Sequence, residues 1–252
     1  MHSRRYFLKL SYKGTNYCGW QIQPNDRTVQ GEINNVLKKL NGNKAILTMG
    51  CGRTDTGVHA TKFFAHFDFY EIENLNKFKF KMNNMLPNDI VIHDIFEVIE
   101  DRHSRYDATK RTYQYFISTK KNAFNFETSL YYSHSLDIEK MRLACDVLLK
   151  YDDFECFSKV KTEVNNFKCT IYTAKWEVIN ENLVFTISAN RFLRNMVRSI
   201  VGTMIDVGQG KIEVSDLHSI IKSKSRSFAG KSVSSNGLFL TDIVYPFEFK
   251  NK

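Results

Sequence analysis

The chain has 252 residues, 42% of them hydrophobic, so it can bury a core without metal or disulfide support. Lys and Arg total 36 against 27 Asp and Glu, a net charge of +9 that suits an acidic partner such as nucleic acid and equally suits a solubilising surface. Cys18, Cys51, Cys145, Cys156 and Cys169 are scattered with no Cys-x-x-Cys pair, which argues against a disulfide framework and a zinc site. Arg4 and Arg5 precede no apolar run of signal-peptide or membrane-span length; the expectation is a soluble, cytoplasmic protein with no membrane partner.

Tyr6, Leu8, Leu10 and Tyr12 alternate with Phe7, Lys9 and Ser11, the period of a strand with one buried face, and Lys13 to Asn16 supply a turn. Thr28 is a candidate N-cap for a helix whose apolar stripe runs through Val29, Ile33, Val36, Leu37 and Leu40 and stops at Asn41-Gly42. Residues 45–49 and 63–69 read as strands. Leu75, Phe78, Met82 and Met85 have helical spacing, and strand character returns from Ile90 to Ile99 after Pro87.

The second half has a similar make-up. Thr112 to Ser118 alternates as a strand, and Ile138, Met141, Cys145, Leu148 and Leu149 mark a helix that Asp137 caps. Strands near 171–179 and 183–189 meet across Asn180-Glu181-Asn182. A long helix from about Phe192 to Val207 ends at Gly208, a short one spans 215–223, and Leu238 to Val244 is a last strand. The expectation is an α+β protein of two similar mixed halves with antiparallel sheets, divided into domains 1–104 and 105–252 where charged residues cluster.

The segment Gly50-Cys51-Gly52-Arg53-Thr54-Asp55-Thr56-Gly57-Val58-His59-Ala60 breaks both periods. Its glycines allow positive φ and close approach to a ligand, and Arg53 and Asp55 can face one cleft; an exposed turn with a surface ion pair is the ordinary alternative. From Gly52 to Ala60 the segment resembles the signature of the TruA family of pseudouridine synthases. The segments Tyr12 to Gln21 with Thr28 to Gly31, His103 to Tyr106 with Arg111 to Tyr115, and Phe192 to Arg198 with Val201, Gly202 and Gly208 are similar to that family's other motifs, in family order and almost end to end. Two departures stand out: Thr56 replaces a common alanine, and Ser232 to Leu238 lacks the prolines usual before the final strand.

The resemblance implies the pseudouridine synthase fold, with the two sheets packed side by side and a catalytic cleft between the halves. It also implies an isomerase that cleaves the N-glycosidic bond of uridine and rejoins the base through C5, on the anticodon stem-loop of tRNA at positions 38–40. Asp55 would be the catalytic carboxylate, whether it attacks the ribose, adds to the ring or abstracts a proton toward a glycal. Arg198 would pair with it and hold it ionised, and Tyr113 would stack on the target base and take the C5 proton. Read without the resemblance, Arg198 is a helix-surface arginine and Tyr113 a core aromatic on the face shared with Tyr115 and Ile117.

Arg53 would occupy the gap left by the extruded nucleotide or bind its phosphate. RNA contacts would come from Arg53, Arg102, His103, Arg105, Lys110, Arg111, Lys159 and Lys161, and would weaken steeply with salt. Lys110, Lys120 and Lys121 also fit an ordinary solvated face. His59 and His66 lack a carboxylate at ligand spacing and read as structural, so no metal is expected. No cofactor is needed for an isomerisation, and a homodimer is the family expectation. The competing readings are a non-catalytic RNA-binding or RNA-chaperone protein of the same fold and an aspartate-nucleophile hydrolase. The latter needs a second carboxylate that no motif supplies.

Overall fold

The computed structural model describes residues 3–160 and 166–249 and divides the chain into two compact units, Met1–Thr109 with Leu240–Lys252 and Lys110–Phe239. The secondary structure is α+β. Two continuous domains meeting at 104/105 were the expectation; instead the segment from Leu240 onward belongs to the first unit.

In the first unit β1 (Arg4–Tyr12) lies between β3 (His59–Phe69) and β4 (Ile90–Val98), antiparallel to both, and the two-residue β2 (Met49–Gly50) extends β3. The part of β9 (Leu238–Val244) that belongs to this unit runs beside β3, where Lys62 Nζ meets the Asp242 carboxylate at 2.6 Å. Helix α1 (Val29–Leu40) begins where the Thr28 hydroxyl accepts from Gly31 N, as its sequence predicts, and α2 (Leu75–Met85) is capped by Asn74.

Three features differ from the sequence reading. Phe7, expected on the open face of β1, is fully buried, because Tyr245, Phe247 and Phe249 cover that face at centroid distances of 5.7, 6.2 and 5.5 Å. Residues 45–48 are not a strand. The amide and hydroxyl of Thr48 donate to the Asn34 carboxamide, and its carbonyl accepts from Gln30, so α1 side chains take the groups that a ladder would use. Strand β3 starts at His59, earlier than its alternation suggested.

The second unit places β8 (Asn182–Ala189) between β5 (Lys110–Ser118) and β7 (Ile171–Ile179), antiparallel to both, with a short parallel β6 (Leu130–Tyr131) on β5 that its sequence did not announce. Helices α3 (Ile138–Leu148), α4 (Met196–Gly208) and α5 (Asp216–Lys222) surround a core that includes Tyr115, Ile117, Trp176 and Phe185. Asp137 caps α3 by accepting from Lys140 N. Helix α4 starts at Met196 rather than near Phe192, because Asn195 sits in the left-handed region at φ 68° and the chain enters the helix from there.

Small residues on α4 admit another segment at backbone distance. A Cβ on Gly202 would lie 1.8 Å from the Lys231 carbonyl oxygen, and Gly230 N donates to Thr203 Oγ1 at 2.8 Å. The stretch 232–238, which lacks the family's prolines, is thereby held on a defined path and ends in a 3-10 turn at Ser235–Gly237.

His66 on β3 is buried with Nδ1 against the Ser104 amide and hydroxyl, and burial, followed by the charges of His103 and Arg5, pushes its imidazole down to about 4. Unfolded, the same group titrates near 6.5, so between about pH 6.5 and 4 the unfolded chain binds a proton that the folded one refuses. Its contribution is complete above pH 6.5 and is lost as the pH falls toward 4, by up to about 3 kcal/mol. Urea unfolding at pH 7 and pH 5 is expected to show this loss for the wild type and a flatter response for His66→Phe.

Candidate active site

Asp55 sits in the connection between β2 and β3, and the segment Tyr12–Trp20 forms its bed. Gly19, at φ 84°, lies so close that a Cβ there would be 2.3 Å from the Thr54 carbonyl oxygen. That oxygen accepts from Trp20 N at 3.2 Å, and Gly57 N donates to Tyr17 O at 3.2 Å on the far side of the turn. The Tyr12 and Thr54 hydroxyls meet at 2.8 Å in the buried interior. Val58 N closes a turn onto Asp55 O at 3.1 Å, with Gly57 at φ 78°, the left-handed third position that such turns give to glycine. The Asp55 side chain is left half-buried, with Arg53 and Thr56 exposed beside it.

Of the three glycines that frame the motif, only Gly57 has positive φ. Gly50 is required by close approach, since a Cβ would lie 2.4 Å from the Trp20 indole nitrogen, whereas a Cβ on Gly52 would meet nothing within 4 Å. His59 is structural, as its spacing suggested: Gly14 N donates to its Nδ1 at 3.0 Å, and Gly14 leaves no room for a Cβ beneath the Val58 carbonyl.

The bed is itself tied down by Asp89, a residue that sequence reasoning passed over. Its carbonyl accepts from Lys13 N at 2.9 Å, and its carboxylate accepts from the Tyr17 hydroxyl and from Asn16. Burial, followed by that hydrogen bond to Asp89, raises the Tyr17 phenol well above its usual range, so the phenol stays a donor. The signal was available only as an acid just after Pro87, at the mouth of β4.

In the second unit, Tyr113 is on β5 opposite Ile187 of β8, half-buried, its ring edge-on to Phe192 at 5.1 Å. It shares a strand face with Tyr115 and Ile117, as the alternation predicts, but where those two are fully buried Tyr113 is only half-buried rather than a core aromatic. Arg198, two residues into α4, is half-buried; its Nε donates to Val233 O at 2.8 Å, and its own carbonyl accepts from Val233 N at 3.2 Å. The Tyr115 hydroxyl donates to the neighbouring Ser234 O at 2.7 Å; burial raises that phenol, with Arg198 pulling it the other way. The Arg198 guanidinium is thus anchored to backbone through its Nε.

The basic residues separate by environment. Arg53, Arg105 and Lys159 are exposed. Arg102 lies over the Phe247 ring at 4.4 Å, Arg105 lies over Tyr106 at 5.7 Å, and Arg111 donates to Asn190 O at 2.8 Å. Lys110 is half-buried at the start of β5. His103 is built into its turn: its Nδ1 accepts from the Arg105 and Tyr106 amides, and burial lowers its pKa, so it is a poor cation for phosphate at neutral pH. Lys161 lies outside the described residues.

Among the described residues no three His, Cys, Asp or Glu side chains form a group able to hold a metal, and no helix is long and apolar enough to cross a membrane. The five cysteines, all described, form no disulfide.

Residues 148–246 match the family model described as tRNA pseudouridine synthase. Over almost its whole length the chain is similar to proteins named tRNA pseudouridine synthase A. It is 46% identical to that of Parabacteroides distasonis over 97% of both chains, and 45% identical to that of Bacteroides fragilis over 98% of this chain and 99% of the relative. Identity to that of Caldicellulosiruptor bescii is 41%, over 96% of this chain and all of the relative. The α+β chain that carries this aspartate turn belongs to the tRNA pseudouridine synthase family of isomerases.

Gly19→Ala is expected to lower stability by about 1–3 kcal/mol, because positive φ and the Thr54 carbonyl both oppose a Cβ. Gly52→Ala, in open space, is expected to melt within a degree or two of the wild type. Thermal unfolding of the two variants side by side checks the assignment of the close contact.

Proposed function

We propose that the protein isomerises uridine to pseudouridine in the anticodon stem-loop of tRNA, at positions 38–40, with Asp55 as the catalytic carboxylate. The observation that carries this reading is the family signature around Asp55, held half-buried in a turn whose backbone is fixed on both sides. A fixed backbone keeps the carboxylate in reacting position without reorganisation during the step.

The reaction exchanges the N1–C1′ bond of uridine for a C5–C1′ bond; C5 loses its proton and N1 gains one, so there is no net redox change and no cofactor is needed. Asp55 acts in its ionised form. The reading assigns Arg198 the role of its counter-ion; the guanidinium, delocalised and always charged, suits a site that water leaves as substrate enters. Tyr113 stacks on the freed uracil and accepts the C5 proton. Arg53, exposed beside the turn, takes the place of the extruded nucleotide or holds its phosphate, since neither C1′ nor C5 can be worked on inside a stacked stem. Arg102, Arg105, Lys110, Arg111, Lys159 and Lys161 supply phosphate contacts, with His103 shaping the turn that presents them. A homodimer in the cytoplasm is part of the same reading.

Release of tritium from tRNA labelled at C5 of uridine tests the assignment. The wild type is expected to release label in proportion to pseudouridine formed, and Asp55→Asn to release none while still binding tRNA. Release by both proteins points away from Asp55 as the catalytic group; release by neither favours a non-catalytic RNA-binding protein.

A further inference from the structure

The turn between β5 and β6 carries two phenylalanines that the described residues leave largely exposed. Phe124 is 99% exposed and Phe126 is 65% exposed. Leaving two rings in water forgoes a large part of the stabilisation their burial would give, and neighbouring exposed apolar side chains rimmed by polar residues are the kind of surface that marks an interaction site.

These rings do not sit on a loose loop. The Ser118 hydroxyl donates to Lys120 O at 2.6 Å at the root of the turn, and Phe124 N donates to the Asn122 side chain at 2.8 Å. Thr128 N and the Ser129 hydroxyl both donate to Asn125 O, each at 2.9 Å. Asn236 donates to Phe126 O at 3.0 Å and to Ser129 O at 2.7 Å. Asn236 belongs to the stretch whose Val233 grips Arg198 through both backbone groups. The backbone that carries the exposed rings is therefore tied to the 233–236 stretch that also holds the candidate catalytic arginine, all within the second unit.

The chemistry of the turn selects its occupant. Thr119-Lys120-Lys121-Asn122-Ala123-Phe124-Asn125-Phe126 interleaves lysine, asparagine and phenylalanine and contains no Leu, Ile, Val or Met. Lysine is depleted in protein–protein interfaces, whereas aromatic rings beside lysines are how proteins hold unpaired bases and the phosphates that join them. Lys120 is matched to Glu181 at 3.1 Å, and Lys121 is exposed with no ion pair among the described residues.

We propose that residues 120–126 form a rigid RNA-gripping prong, in which Phe124 and Phe126 stack on unpaired bases of the substrate RNA while Lys121 neutralises a phosphate. The proposal rests on the reading that the substrate is a tRNA, and it adds a contact that is separate from the nucleotide undergoing reaction.

Equilibrium binding of unmodified tRNA to the full chain, carried on an Asp55→Asn background so that no turnover intervenes, tests it. The double variant Phe124→Ala/Phe126→Ala is expected to bind at least about tenfold more weakly, as loss of base stacking predicts. Phe124→Trp should retain affinity and Phe124→Leu should not, because leucine is apolar but has no face for a base. Lys121→Gln should reduce the log–log salt dependence of binding by about 0.7 to 0.9. Wild-type affinity in the double alanine variant overturns the proposal, as does full affinity in Phe124→Leu. Light scattering of the same proteins supplies the remaining arm: conversion of a dimer to a monomer by the alanine pair would assign the rings to a second copy instead. A wild type that binds tRNA and releases tritium while every prong variant behaves identically sinks the prong alone; a wild type that does neither sinks the underlying reading.

Discussion

The contact on which the aspartate turn of the first unit depends is one between two stretches of backbone. Gly19 rests against the Thr54 carbonyl with no room for a side chain between them, and the same oxygen is held by the next amide, that of Trp20. Immediately beyond, Gly19 O and Trp20 O accept from Val29 N and Gln30 N at the start of α1. Asp55 is thus suspended between the end of β1 and the first turn of α1, two elements whose positions are set by burial of large apolar side chains. Displacing the backbone of the aspartate turn would require a shift of the sheet or the helix, and packed cores resist both.

The second unit uses the same device. Gly202 lets the Lys231 carbonyl come to rest on α4, and the neighbouring Val233 then takes Arg198 by its Nε and its carbonyl. In both units a glycine-enabled backbone contact fixes the segment that carries or grips a side chain proposed for catalysis. A long side chain can hop between rotamers, whereas apposed backbones carry few soft torsions, so the arrangement favours pre-organisation over adaptability.

Much of this was legible in the residues. Thr28 and Asp137 cap the helices that their apolar stripes outline, and the strand alternation from Thr112 to Ser118 groups Tyr113, Tyr115 and Ile117 on one face, of which Tyr115 and Ile117 are buried and Tyr113 is half-buried. The signature around Asp55 stood out because it obeys neither period. What escaped was long-range. Residues 45–48 look like a strand until Gln30 and Asn34, a helix away, take their hydrogen bonds, and Phe7 looks exposed until Tyr245, Phe247 and Phe249 return to cover it. Asp89 carries no local pattern at all; its function exists only once β4 has brought it beside Tyr17. Periodicity reports the partner an element needs, but not which distant segment will serve.

The aromatic covering of β1 bears on how the protein is made. Synthesis runs from the N-terminal side, yet the first unit stays open on one face of its sheet until residues 240–249 have left the ribosome, after the whole of the second unit. During that interval Phe7, Phe64 and Phe96 lack their covering rings, and the nascent first unit resembles an unfinished intermediate more than an independent domain. Translation that halts before Tyr245 would leave the aspartate turn on an incomplete scaffold, so the chain's order of emergence withholds a finished carboxylate site until both units are present.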